Sequence, residues 1–235
     1  MAVLERTQAD FLERWRECWA RREPALIRGG AELFPRAMSW SSETVAARYS
    51  TRECNVARDG RPAFSNETST YAEFFASASA SGEGGRYAFT RRRYEQERDA
   101  PFIEDLEFPN PLFAREDIER FIFYGGPAET GALPHAHGDA INILVSGEKS
   151  WILFDAAEGA YSKRYFDRYW ELYREGWTTA RWREREYAAL AADERVELHE
   201  FTQRGGDVVY VPARYCHTAH NETPVMGIVI ERSRA

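Results

Sequence analysis

Gly131-Ala-Leu-Pro-His135-Ala-His137-Gly-Asp139-Ala-Ile-Asn142 is the stretch on which the reading of this chain turns. Two of the five histidines in the sequence fall in it, and Asp139 follows His137 after one intervening glycine. Along an extended strand the side chains at i, i+2 and i+4 point to the same side, so the spacing predicts His135, His137 and Asp139 together on one inner face. A third histidine, His217, follows Gly206-Asp207-Val-Val-Tyr-Val-Pro212-Ala-Arg-Tyr-Cys216. A strand of the opposite sheet ending near His217 closes the site from the other side. Two imidazoles and a carboxylate on one face of a metal leave about three positions open, which is the facial arrangement of non-haem Fe(II) oxygenases. Zinc favours a tetrahedral set, and no cysteine lies near His137 in sequence.

Outward from this stretch the pattern is one of short apolar runs punctuated by glycine and proline. Arg120 to Tyr124 reads as a buried strand ending at Gly125-Gly126-Pro127. Ala140 to Val145, Ser150 to Phe154, Val208 to Val211 and Val225 to Glu231 read as further strands, with a turn at Gly147. Such runs predict an antiparallel sandwich or barrel. Between them, 156–193 changes character. Tyr161, Tyr165 and Tyr169, with Phe166, Trp170 and Tyr173, and then Trp182, Tyr187 and Leu190, recur at three- and four-residue spacing, which predicts an inserted helical pair. Ahead of the barrel, Thr7 with Phe11, Trp15 and Trp19 predicts an N-terminal helix, and Ala25 to Arg28 and Glu53 to Ala57 predict two strands. The run 77–85 reads as a surface loop, and 100–111, with three prolines, as extended or turning. The domain reading is therefore one unit over 1–235, an N-terminal extension over 1–115 and a barrel core over 116–235 carrying the insert at about 156–193.

The 235 residues, 43% hydrophobic, suit one sizeable core. A formal charge of −7 lacks the basic excess that phosphate neutralisation requires, which disfavours a nucleic-acid or anionic-membrane partner. Cys18, Cys54 and Cys216 are odd in number and widely spaced, which argues against a disulfide framework and for a reducing, cytoplasmic setting. Neither an export signal nor a membrane span is read. Of the 31 basic residues only Lys149 and Lys163 are lysines. A lysine bracketed by apolar residues in a strand stands out in so arginine-rich a chain, and a compact ammonium suits a narrow pocket better than a guanidinium fork.

Taken together, Pro24-Ala-Leu-Ile-Arg-Gly, Ile103-Glu-Asp-Leu-Glu-Phe-Pro, Phe121-Ile-Phe-Tyr-Gly-Gly-Pro, Asn142-Ile-Leu-Val-Ser-Gly-Glu-Lys149-Ser-Trp-Ile-Leu-Phe and Gly206-Asp-Val-Val-Tyr-Val-Pro to His217-Thr-Ala-His-Asn221 resemble the JmjC branch of cupin-fold Fe(II)/2-oxoglutarate oxygenases. The resemblance implies a mainly β fold with helical additions, a double-stranded β-helix (cupin or jelly-roll barrel). It also implies iron held by an H-x-D motif and a distal histidine, with 2-oxoglutarate as cosubstrate and O2 as oxidant. In such enzymes a strand lysine pairs with the far carboxylate of 2-oxoglutarate, and Lys149 matches it. Asn142 matches an asparagine of the family, and Tyr124 is a candidate cosubstrate contact by position. Two ligand sets stay open: His137, Asp139 and His217, or His135, His137 and His217. The first is expected because an anionic ligand suits iron, while Pro134 encourages the second.

The resemblance implies hydroxylation of a C–H bond in a protein, peptide or small molecule, with succinate and CO2 released. A 2-oxoglutarate-independent metal cupin enzyme and a catalytically silent binding module are the alternatives. Aromatic residues of the insert are candidates for a lid or peptide groove, although packing of the insert onto the barrel accounts for most of such a stripe. Exposed Arg164, Arg168 and Arg174 would favour an acidic substrate or pair with neighbouring glutamates. His199 and His220 read as peripheral.

Overall fold

The computed structural model describes residues 1–58, 67–78, 86–89, 102–155, 171–213 and 215–232. Thirteen strands lie in these residues: β1 (Ala2–Glu5), β2 (Ala25–Arg28), β3 (Glu53–Arg58), β4 (Thr68–Thr70), β5 (Arg86–Phe89), β6 (Arg120–Gly126), β7 (Gly131–His135), β8 (Asp139–Ser146), β9 (Glu148–Asp155), β10 (Leu198–Arg204), β11 (Val208–Val211), β12 (Tyr215–Asn221) and β13 (Val225–Arg232). They form a nine-stranded sheet, β1-β2-β11-β8-β13-β6-β5-β3-β4, and a four-stranded sheet, β10-β9-β12-β7. From β6 onward the chain crosses repeatedly between the two sheets, so that β6, β8, β11 and β13 face β7, β9, β10 and β12. This is the expected double-stranded β-helix, with helical additions.

Three layers of burial follow from strand alternation. Inside the barrel, Leu26, Val209 and Val211 of the large sheet meet Trp151, Leu153, Tyr215 and Ala219 of the small one. On the outer face of the large sheet, Ile141, Ile143, Val208, Tyr210, Ile228 and Ile230 pack against the N-terminal elements. Those elements include α1 (Phe11–Arg21), whose Phe11, Trp15 and Cys18 are buried at i, i+4 and i+7, and α2 (Ser42–Arg48), held at its start by a Ser41–Thr44 capping box. On the outer face of the small sheet, Leu133, Ile152, Phe154 and Cys216 pack beneath Leu172, Trp177, Trp182 and Leu190. The β8–β9 turn uses Gly147 at φ 90°, where a Cβ would stand 2.2 Å from the Pro224 carbonyl oxygen.

Several expectations are corrected. The N-terminal helix begins at Phe11 with Asp10, not Thr7, at its cap, and residues 2–5 form an edge strand paired in parallel with β2. Three residues of the proline-rich segment, 102–104, make a helical turn. β7 and β10 carry no uninterrupted apolar run and escape the sequence pattern. Of the insert, the described part holds helical residues 171–174 and, after a turn, a second helix running through Thr179–Trp182, a π-helical stretch Arg183–Tyr187 and Ala188–Ala191. Trp182 and Leu190 of the aromatic stripe are core residues there, while Tyr187 donates to Glu200 at the surface. The first part of the stripe, Lys163, Arg164, Arg168 and the 79–85 loop lie outside the described residues. Among the described residues no helix is long and apolar enough to cross a membrane.

Candidate metal centre

The strand expected to carry His135, His137 and Asp139 in line is broken between the two sheets. β7 ends in the small sheet at His135, and β8 begins in the large sheet at Asp139, with Ala136 to Gly138 making the crossing. The two-residue periodicity therefore does not run through the motif. Asp139 shares a face with Ile141 and Ile143, which pack into the N-terminal core, not into the barrel. Its Oδ1 accepts from the Ala213 backbone N–H at 3.0 Å and from the Tyr210 hydroxyl at 3.4 Å. His217 is likewise not on the opposite sheet: it lies within β12, directly across from His135 of β7 in the same sheet.

That register brings three imidazoles together. His135 and His217 have ring centroids 4.2 Å apart, His137 and His217 4.7 Å, and His135 and His137 5.4 Å. One ring nitrogen from each lies within 4.8 Å of the others, so the His-x-His set is the group able to hold a metal among the described residues. Backbone contacts favour one tautomer in each ring. His135 Nδ1 lies 2.8 Å from the Leu133 carbonyl oxygen, His137 Nδ1 2.8 Å from that of Gly138, and His217 Nδ1 3.4 Å from that of Tyr215. A neutral imidazole donating from Nδ1 to a carbonyl keeps its Nε2 lone pair for a metal, the second hydrogen bond fixing ring orientation. Burial, and then the neighbouring His137, push His135 down to about 4, and burial with both neighbouring imidazoles holds His217 well below the usual range. Both rings are therefore neutral, as metal ligation requires. The donor chemistry fits a first-row divalent ion such as iron.

The remaining three candidates converge on another part of the same interior. Lys149 is buried on β9, its Nζ 4.0 Å from the Tyr124 ring centroid and 5.6 Å from that of Trp151. Trp151, two residues along, stands 5.8 Å from His217 and so links ammonium and imidazoles along one wall. The Tyr124 hydroxyl donates to Asn142 Oδ1 at 2.8 Å, and burial raises its pKa. Sequence reasoning missed Gln203, which completes this network. Its Nε2 donates to the Asn142 backbone oxygen at 3.1 Å and to Oδ1 at 3.3 Å, while its Oε1 accepts from Trp151 Nε1 at 3.0 Å. Gln203 is fully buried on a largely polar edge strand, and nothing in the sequence sets it apart from its polar neighbours. Burial alone pushes Lys149 down to about 7, and among the described residues no carboxylate pairs with it.

The two histidines read as peripheral face other surroundings. His220, on β12, bonds Thr179 Oγ1 at 2.8 Å through Nδ1 and lies 3.4 Å from Glu129 through Nε2, anchoring the insert helix. His199 packs near Tyr215, with ring centroids 6.0 Å apart.

A family model described as a cupin-like domain matches residues 12–231, nearly the whole chain. A search of curated proteins found no match.

Proposed function

The chain belongs to the cupin-like domain family, and from that premise we propose an Fe(II)- and 2-oxoglutarate-dependent oxygenase that hydroxylates a C–H bond of a protein, peptide or small molecule. The observation that carries the proposal is the pairing of a three-imidazole group with a buried ammonium in one barrel. A buried charge without a counter-charge is costly. Lys149 therefore calls for an anion, and a ligand that reaches both a metal at the imidazoles and Lys149 must carry an anionic group at each end. 2-Oxoglutarate has that form.

His135, His137 and His217 would hold iron through Nε2, and iron with this cosubstrate supplies O2 activation and hydrogen abstraction from the substrate. The protein's own work is positional. Lys149 pairs with the distal carboxylate, and Tyr124, bonded to Asn142, which in turn accepts from Gln203, forms a pre-organised polar wall beside it. Leu26, Leu153, Val209, Val211 and Ala219 line the barrel with hydrocarbon and exclude water. The test is succinate formation from 2-oxoglutarate with Fe(II) and O2, followed by mass spectrometry. Succinate that depends on Fe(II) and disappears in both His217→Ala and Lys149→Ala supports the proposal. Undiminished succinate in Lys149→Ala overturns it.

The neutral donor set favours a second reading, a metal-dependent cupin enzyme whose own anionic substrate sits at Lys149. Metal-dependent turnover of a carboxylate without any succinate would select that reading.

A further inference from the structure

Two of the three imidazoles are held by the ladder of the small sheet, and the third is not on it. His135 and His217 face each other in the β7–β12 register, so strand pairing sets their separation. His137 lies in the crossing Ala136 to Gly138, after the last residue of β7 and before the first of β8. Its Nδ1 contact is with the carbonyl oxygen of its own neighbour Gly138, which orients the ring on the crossing without tying the crossing to the sheet. The next residue is Asp139, only 1% exposed. Its Oδ1 accepts from the Ala213 N–H at 3.0 Å. Ala213 lies in the other crossing at this end of the barrel, the one that leads from β11 into β12 and on to His217. The same oxygen accepts from the Tyr210 hydroxyl at 3.4 Å. Tyr210 is itself fully buried, its ring centroid 5.4 Å from that of Trp15 and 4.8 Å from that of Trp19 on α1.

We infer that Asp139 is a positioning residue of the metal centre, a strut that holds His137 in place against His135 and His217 by tying the two crossings together. The inference rests on the metal reading above. Because one carboxylate oxygen takes both the Ala213 N–H and the Tyr210 hydroxyl, the start of β8 is fixed to the loop entering β12 and, through Tyr210, to α1. A working site needs its groups within about 0.5 Å of the productive geometry, held there by supporting hydrogen bonds. Strand pairing supplies that for His135 and His217, and Asp139 supplies it for His137. Removing the strut leaves the Ala213 N–H without this acceptor and loosens the crossing, so the contribution lost is that of His137 while the other two imidazoles stay on their ladder. The work asks only for an acceptor oxygen at Oδ1. Asparagine can provide one, whereas alanine provides none.

The test is Ni2+ binding to the full chain, Ni2+ being suited to imidazole and bound more tightly than Mn2+ or Fe2+, so that a two-imidazole site stays measurable. The proteins are the wild type, Asp139→Ala, Asp139→Asn, Tyr210→Phe, His137→Ala and the double variant Asp139→Ala/His137→Ala, each checked for folding by thermal unfolding without metal. Ile141→Val, on the same strand but packed into the N-terminal core, controls for a general loss of stability. Asp139→Ala should weaken Ni2+ by about 10- to 100-fold, the usual effect of losing a group that orients a metal's ligands. The double variant should bind no worse than His137→Ala, because a strut that acts through His137 then has nothing to hold. Asp139→Asn should bind more tightly than Asp139→Ala, Tyr210→Phe should show a smaller loss, and Ile141→Val should bind like the wild type. Three results overturn the inference while leaving the metal reading standing: wild-type affinity in Asp139→Ala, or in Tyr210→Phe should Asp139→Ala not fold; losses that add in the double variant; or equal losses in Asp139→Asn and Asp139→Ala, the mark of a direct carboxylate ligand. A wild type that binds no Ni2+ overturns the metal reading itself.

Discussion

Replacing Lys149 by methionine should make the ligand-free protein more stable while removing its grip on a carboxylate. The ammonium is 8% exposed, and burial pushes it from 10.5 down to about 7. Because the folded-state value lies below the unfolded one, the unfolded chain binds more protons between about pH 7 and 10.5, and stability rises with pH across that window. At pH 7 the penalty for keeping Lys149 charged is about 4 kcal/mol. The Tyr124 and Trp151 rings return about 1–2 kcal/mol through cation–π attraction, leaving a net cost of about 2–3 kcal/mol. Methionine keeps an unbranched apolar stem and removes the charge. Metal-free Lys149→Met should therefore exceed the wild type by about 2–3 kcal/mol at pH 7, and its melting temperature should rise by about 2–4 °C per kcal/mol. The gap should close as the pH approaches 10, where the wild-type amine is neutral in the fold. Thermal and urea unfolding of both proteins from pH 6 to 10 measure this. A variant less stable than the wild type at pH 7, or a gap that does not change with pH, would refute the reasoning.

The same proton sets cosubstrate affinity: above about pH 7 binding of 2-oxoglutarate should weaken by about tenfold per pH unit, with proton uptake seen by calorimetry. Gly227→Ala would place a Cβ 2.3 Å from the Tyr124 hydroxyl oxygen and 2.5 Å from the Ile143 carbonyl oxygen, so it should cost about 1–3 kcal/mol in urea unfolding and pull Tyr124 off Asn142. Gln203→Leu should cost about 1–3 kcal/mol by leaving Trp151 Nε1–H buried without its acceptor; unchanged stability would show that the network contributes nothing.

Where the sequence was legible, one physical signal dominated its surroundings. β6, β8, β9, β11 and β13 are apolar runs bounded by glycine or proline, and all five strands stand near their expected places. β7, Gly-Ala-Leu-Pro-His, and the largely polar edge strand β10 have no such run, so only pairing with β12 and β9 reveals them. Lys149, Asn142 and Tyr124 are legible because a polar group within an apolar strand needs a reason to be buried. The ligand set was only half legible. His137 and His217 belong to either reading, but the choice between His135 and Asp139 depends on where the chain passes from one sheet to the other, and the spacing H-x-H-x-D fits an unbroken strand equally well.

The central claim, a metal on three imidazoles with Lys149 receiving the far end of 2-oxoglutarate, is tested most directly by anaerobic calorimetry of 2-oxoglutarate binding. The account predicts saturable binding to the Fe(II)-loaded wild type, none to His135→Ala for want of metal, and none to Lys149→Met although its metal is retained. Binding to the metal-free protein or to Lys149→Met with wild-type affinity, or no binding to the Fe(II)-loaded wild type, would contradict it.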